Sequence, residues 1–430
     1  MTATQSSEQS ANALPYPIND ADEHSTPARG AYEKYIDPDK RDMAIRYVTT
    51  DSGFPQALYN GRPARFTFKN FQVVGSNDQL AEVGVSDAGG SEEMGGAPVP
   101  GSLLTRLNPL KDLDAEGRKE FARKYRAMQE QLDNPADRLT VMDSQGIGAA
   151  VNFATLPGTE VEFEDDYDGL YANLTALNRY LGNEWGFNYE NRLFTPPFVS
   201  FADPDAALAQ LDDIMKIEVP KVIQTSQGPS MHTSPFRPEN DRFWDICSEA
   251  GIKLTTHLAT VTRYGAQGLD WSEEEVMLGD MNAFQWVFYY GDRPAMETAG
   301  AAILQGWFAR FPKMQLLLSE QGTVWVPYTV RKLDHSFLMG RRASFGRKLE
   351  RRPSEYFKDH VFVAPFPEEN VDRIVEAVGT KPIVFGSDFP HGEGLPEPSM
   401  YLGQLKNLDE TQTKEIMSDN LARFLDLPTA

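Results

Sequence analysis

The sequence predicts an α/β chain folded as a (β/α)8 TIM barrel with a long insertion after strand one. Three observations predict it. From about residue 136 onward, short apolar strand segments alternate with helix-length amphipathic segments. Strands separated by helices run parallel, because each crossover returns the chain to the same edge. Counting the segment Pro17–Asp22, the alternation makes eight units, the number that closes a barrel. No glycine-rich phosphate fingerprint follows the first strand, which weakens the case for an open dinucleotide-binding sheet.

Taken in order, residues 1–16 are polar and read as a disordered arm, and residues 17–430 as one barrel domain. Pro17 to His24 supplies the first extended stretch. Residues 28–135 lack strand–helix alternation and contain Gly89-Gly90-Ser91-Glu92-Glu93-Met94-Gly95-Gly96-Ala97-Pro98, a loop by composition. Structureless loops of that length are uncommon, so this segment is expected to be an insertion with local structure covering one barrel face. Arg138 to Gln145 then reads as a helix, Gly148 to Phe153 as a buried strand and Tyr171 to Trp185 as a helix. Leu193 to Phe201 is a strand interrupted by Pro196-Pro197. Asp203-Pro204 opens a helix to Ile217, with Ala206, Leu208, Leu211 and Ile214 at helical spacing. Pro220 to Gln224 is the next strand. Phe243 to Ala250 is a helix stopped by Gly251, before strand Ile252 to His257. Helix Thr298 to Arg310, strand Met314 to Glu320, strand Val361 to Val363 and helix Asn370 to Val378 follow. Strand Pro382 to Asp388 and helix Asp409 to Leu425 complete the alternation.

The formal charge of −22 argues against nucleic acid or an anionic membrane as partner. No apolar run approaches the roughly 18 residues of a membrane span. The first residues carry neither a basic nor an apolar stretch, so no signal peptide is read there and a cytoplasmic location is expected. The single cysteine, Cys247, sits in an apolar helical face and is read as structural.

Chemistry is expected where barrel strands end, because the loops there converge on one opening. Asp22 and His24 end strand one, His257 ends strand five, Glu320 strand six and Asp388 strand eight, with His391 three residues later. The chain has six histidines, and three of them stand at these ends. One histidine alone would be a hydrogen-bonded loop residue, and Asp388 alone a helix N-cap. Six nitrogen and oxygen donors from four strands are another matter. Without a cation the three carboxylates would repel one another until one kept its proton. Asp22, His24, His257, Glu320, Asp388 and His391 are therefore the candidate metal ligands, with Asp388 and Glu320 as candidate catalytic groups. Weaker features are the basic run Arg341-Arg342, Arg347-Lys348 and Arg351-Arg352, read as a solvated face. Trp307 and Trp325 are read as core packing rather than pocket walls. Arg263 or Tyr264 is a conceivable carboxylate anchor, and His232, His335 and His360 are given no role.

Asp20-Ala21-Asp22-Glu23-His24, a histidine after strand five and Gly386-Ser387-Asp388-Phe389-Pro390-His391 resemble the amidohydrolase superfamily. The nearest branch is amidohydrolase-2, similar to aminocarboxymuconate-semialdehyde decarboxylase. The resemblance spans residues 17–26 and 136–428 and leaves the segment between unaccounted for. Two departures stand out. Asp22 replaces the first histidine of the usual opening, as in some decarboxylase members, and Glu320 replaces the histidine after strand six. In those enzymes that histidine acts as acid or base, so its loss counts against their mechanism.

A single zinc site needs three or four ligands and a water, whereas six donors suffice for two ions. The balance of histidine and carboxylate suits iron or manganese. On this reading a divalent metal, two per site as Fe and/or Mn, is expected, or Zn if the reaction is hydrolytic. The chain also resembles subunits of a dinuclear Mn/Fe 2-aminoisobutyrate hydroxylase. That resemblance makes an O2-dependent monooxygenase acting on a small polar substrate the preferred expectation. The alternative is a metal-dependent hydrolase or non-oxidative decarboxylase of a small carboxylate, and a third is a non-catalytic partner subunit. A small-molecule substrate and a homo- or hetero-oligomer with a related barrel subunit complete the expectations.

Overall fold

Glycine, proline and short polar caps end the elements close to where the strand–helix rhythm places them. The structure is a computed structural model describing residues 14–25, 27–49, 55–63, 99–129, 132–154, 160, 163, 166–258, 271, 292–340 and 349–429. The glycine-rich stretch 89–98, Arg263, Tyr264 and the basic residues 341–348 lie outside the described residues, as does most of the expected arm. The strands are β1 (Ile18–Ser25), β2 (Arg46–Thr49), β3 (Pro55–Tyr59), β4 (Arg62–Pro63), β5 (Ile147–Ala154) and β6 (Asn188–Tyr189). They continue as β7 (Leu193–Phe194), β8 (Val222–Thr225), β9 (Lys253–His257), β10 (Leu316–Ser319) and β11 (Val361–Val363). The helices are α1 (Ala31–Tyr35), α2 (Ala115–Gln129), α3 (Pro135–Gln145), α4 (Tyr167–Tyr180), α5 (Pro204–Ile217), α6 (Asp241–Ala250) and α7 (Asp292–Leu304). After them come α8 (Trp307–Arg310), α9 (Val326–Gly340), α10 (Pro353–His360), α11 (Val371–Val378), α12 (Glu410–Lys414) and α13 (Asn420–Phe424).

Local chemistry explains the ends. The side chains of Asn134 and Asp203 accept from the backbone N–H three residues on, and Pro135 and Pro204 follow in the first turn. Gly146 and Gly251 close α3 and α6 in the left-handed conformation. The helix expected over Thr298–Arg310 is two pieces, because Gly306 turns left-handed between α7 and α8 (φ 71°). No helix among the described residues is long and apolar enough to cross a membrane.

Two four-stranded sheets carry the fold, in the orders β1-β5-β7-β6 and β11-β10-β9-β8. Every pair is parallel except β6–β7, as the crossover argument requires. Regular pairing gives two sheets, and where the sequence reads further strands beside prolines the described residues show isolated bridges instead. Beyond Phe194, Pro196 and Pro197 have no N–H to give, and the chain meets β8 through the isolated Phe198–Gln224 bridge and the Thr225 hydroxyl on Val199 O. Pro382 to Asp388 forms no continuous strand: Val384 N–H bonds Val363 O, Ala21 N–H bonds Phe385 O, and Phe385 N–H turns away to Ile416 O. Single bridges at Val363–Ile383 and Glu23–Phe389 tie this segment to β11 and β1.

One core cluster joins Ala21, Val151, Phe194, Val222, Leu317, Phe362 and Val384 with Leu421, Phe424 and Leu425 from the C-terminal helix. A larger cluster fills the space between strands and helices, and Cys247, Trp244 and Trp307 are buried in it. Between β1 and β5 the described residues add α1, the antiparallel β2-β3-β4 sheet and α2.

Candidate metal centre

β1 supplies Asp22 and His24, and its register explains their aim. Asp20 pairs with Ala150 and Glu23 with Asn152, so β1 holds one residue more than β5 across this interval. Such a bulge re-aims a side chain, and bulges are common beside active sites. His257 ends β9. Its Nδ1–H donates to Leu258 O at 2.8 Å, leaving Nε2 to face Asp22 Oδ1 at 3.1 Å. That is the tautomer a metal-binding histidine needs. Glu320 follows β10 and Asp388 ends the Pro382–Asp388 segment, both in the left-handed region (φ 51° and 57°). Neither is glycine, so each conformation is sustained by its surroundings at a cost of about 1–3 kcal/mol.

These turns bring the side chains together. His24 Nε2 lies 3.3 Å from Asp22 Oδ1 and 3.2 Å from Asp388 Oδ1. His257 Nε2 lies 3.3 Å from Glu320 Oε2, and His391 Nδ1 lies 2.7 Å from Asp388 Oδ1. The His24 ring packs on His391 (centroids 4.0 Å apart) and edge-on to His257 (4.8 Å). All six candidate ligands meet here. They fall into overlapping groups whose donor atoms lie within 4.8 Å of one another: Asp22, His24, His257 and Glu320; His24, Asp388 and His391; and Glu320, Asp388 and Glu393.

Glu393 was missed in the sequence. Its signal was a carboxylate held between Gly392 and Gly394 two residues after His391. Gly394 is required by close approach: a Cβ there would stand 2.1 Å from Asp388 O. Trp307 and Trp325 are buried in the core, and His360 is buried with Nδ1 on Met314 O.

Burial and mutual charge set the protonation of the cluster. Burial, reinforced by the charges of Asp388, Asp22 and Glu393, pushes Glu320 well above the carboxylate range. Burial also pushes Asp22 up, but the charge of His257 and hydrogen bonds from His24 and His257 outweigh it and hold the carboxyl low. Asp388 is held low against burial by His391 and His24. Burial opposes the charge on His391, yet the Asp388 carboxylate wins and raises the ring to about 9. His24 is lowered, by burial first and then by His391.

A divalent cation fits this donor set. The donors are nitrogen and carboxylate oxygen, and Asp388 Oδ2 is buried with no hydrogen-bond partner among the described residues. A metal ion would satisfy that oxygen and relieve the carboxylate repulsion.

The chain belongs to the amidohydrolase family, whose profile matches residues 107–427. A 2-amino-3-carboxymuconate-6-semialdehyde decarboxylase from Dictyostelium discoideum is 26% identical over 127 residues, 29% of this chain and 34% of that protein. The match therefore spans about a third of that relative. A solved amidohydrolase from Mycobacterium avium subsp. paratuberculosis K-10 superposes with a TM-score of 0.77 at 24% identity, covering 97% of this chain and 99% of its own. A 5-carboxyvanillate decarboxylase from Novosphingobium aromaticivorans, solved with manganese and 4-hydroxy-3-methoxy-5-nitrobenzoic acid, superposes at 0.54 and 18% identity. It covers 70% of this chain and 83% of its own. Two of these proteins are named decarboxylases and one an amidohydrolase; none of the three is named an oxygenase.

Proposed function

We propose that this chain is a metal-dependent, non-oxidative decarboxylase of a small, preferably aromatic, carboxylate. The observation that carries it is the convergence of Asp22, His24, His257 and Glu320 donor atoms within 4.8 Å, with Asp388 against His24. The decarboxylase relatives, one with manganese bound, support the same reading. It assumes a closed (β/α)8 barrel, supported by the bridges that join the two sheets and by a core drawn from seven strand segments. It also treats residues 28–135 as an insertion, although residues 107–135 fall within the family profile match.

Asp22, His24, His257 and Asp388 would hold a manganese-class ion, which supplies a positive centre to fix a substrate oxygen and draw electron density from the ring. The chain's own residues do the rest. Glu320, beside His257 and standing where the amidohydrolase resemblance implies a histidine, would give a proton to the carbon that loses its carboxylate. The carbon–carbon bond breaks, CO2 leaves, its electron pair takes the Glu320 proton, and solvent reprotonates Glu320. General acid action of this kind contributes about 10²–10⁴-fold. Burial of His24, Asp22 and Asp388 keeps competing water from the ligands.

A second reading rests on one observation: seven donors in three overlapping groups exceed the needs of one ion. Two ions, Fe and/or Mn, would suit the oxygenase, in which Glu320, His391 and Glu393 all serve as ligands. One experiment separates the readings. Manganese-loaded protein is incubated with hydroxylated and methoxylated benzoates in D2O without oxygen. One CO2 and one ring deuterium per turnover support the decarboxylase. A product formed only with O2, carrying ¹⁸O from ¹⁸O2, would sink it and establish the second reading.

A further inference from the structure

We propose that Arg138 is a positioning residue for the metal centre, holding the two ligand-bearing segments in register from behind. The inference rests on the metal reading above, though not on which reaction the metal serves. Arg138 lies on α3, outside every ligand-bearing segment, and its side chain is completely buried, as is that of Glu23. Its Nε and Nη2 each stand 2.8 Å from Glu23 Oε2. Nη1 donates to His24 O at 3.0 Å and Nη2 reaches Phe389 O at 3.5 Å, with the guanidinium 5.6 Å from the centre of the Phe389 ring. Phe389 O also accepts from His24 N–H at 2.9 Å, and Asp388 N–H donates to Asp22 O at 2.8 Å.

One planar cation thus ties the carbonyl of a candidate ligand, His24, to the carbonyl next to another, Asp388. Glu23, between Asp22 and His24, supplies the countercharge. Such a pair gives little net stability, because stripping water from two charges consumes what their attraction returns. An apolar pair of similar volume would fill the space as well. What an apolar pair could not do is hold three acceptors at fixed angles, the use to which the guanidinium fork is suited. Ligands must be held to within about half an ångström for a site to work. An arginine bonded to both ligand-bearing segments meets that demand, and it does so from behind the ligands.

Lysine keeps the charge but cannot reach Glu23 and both carbonyls at once, so Arg138→Lys separates pairing from positioning. The full-length chain is stripped with EDTA, checked for folding by circular dichroism and titrated with Mn2+ by calorimetry, with the Mn2+ EPR line shape recorded. Arg138→Lys and Glu23→Gln are expected to bind Mn2+ about 10–100-fold more weakly, the range typical of groups behind metal ligands, with an altered line shape. Asp241→Asn, which breaks the surface Arg310–Asp241 pair (3.0 Å), should lower Tm at most and leave affinity and line shape unchanged. A folded Arg138→Lys or Glu23→Gln protein with wild-type affinity and line shape overturns the proposal. If Arg138→Lys does not fold, Glu23→Gln decides; if neither folds, the pair is a general stability element and the proposal is wrong. Absence of Mn2+ binding in the unaltered chain would instead defeat the metal reading itself.

Discussion

At the scale of single residues, proton placement decides how the centre behaves. His391 is raised from about 6.5 to about 9 by the Asp388 carboxylate, so at neutral pH it is protonated when no metal is present. A raised histidine adds stability that is fully present below 6.5 and is lost as pH rises through 9. The EDTA-treated protein should therefore lose Tm across that window, while the metal-loaded protein should not. If His391 also ligates, a cation must displace its proton. Mn2+ affinity would then rise about tenfold per pH unit from 7 to 9, which calorimetry at several pH values measures; a flat profile removes His391 from the ligand set. The six candidates could be read in the sequence because each falls at or just after a segment whose apolar pattern reads as a strand. Glu393 could not, because it lies in a loop and reaches the centre only through the turn after Asp388, where Gly394 packs on the Asp388 carbonyl. Arg138 was equally hidden: in sequence it is one more polar residue of α3, and only packing turns it inward toward Glu23.

At the scale of elements, helices with strong caps were the legible part, since Asn134, Asp203 and Asp409 mark their own helix starts. Strand eight was less so. Its apolar run looks like a buried strand, but Pro382 lacks a donor and Phe385 N–H bonds Ile416 O, so pairing there is broken. The described part of the 28–135 region is fastened by an anchor no motif announces. The Glu368 carboxylate accepts from the backbone N–H groups of Thr105 (3.2 Å), Arg106 and Leu107 (2.8 Å). Burial raises its pKa, yet those three donors and Arg106 prevail and hold it below 4.5. This contribution is present above 4.5 and is lost as pH falls through the lowered value. Glu368→Ala should cost about 1–2 kcal/mol at pH 7 and much less near pH 3. Hydrogen exchange at residues 105–107 should rise in the variant; unchanged protection there would show that other contacts hold the segment.

For the whole molecule, alternation in the sequence reveals parallel α/β architecture, but the isolated bridges between the two sheets are encoded by no local pattern. A metal bound to the folded chain and not to the unfolded one adds RT ln(1 + [L]/Kd), about 2.7 kcal/mol at a hundred times Kd. Stripping with EDTA should lower Tm and stoichiometric Mn2+ should restore it; identical melting curves would count against a metal at this centre. The seam between β1 and the Pro382–Asp388 segment has a kinetic meaning as well. Ser387 N–H bonds the Asp20 carboxylate 367 positions away, and Asn19 Nδ2 bonds Ser418 O 399 away. Contacts so distant in sequence carry the largest loop-closure cost and slow the formation of the structures that need them. During synthesis β1 leaves the ribosome long before its partner segment exists, with its buried Asp20, Asp22, Glu23 and His24 still uncovered. The centre is thus completed only after the segment through Glu393 has been made, and nascent chains that stop short of His257 carry Asp22 and His24 without their later partners.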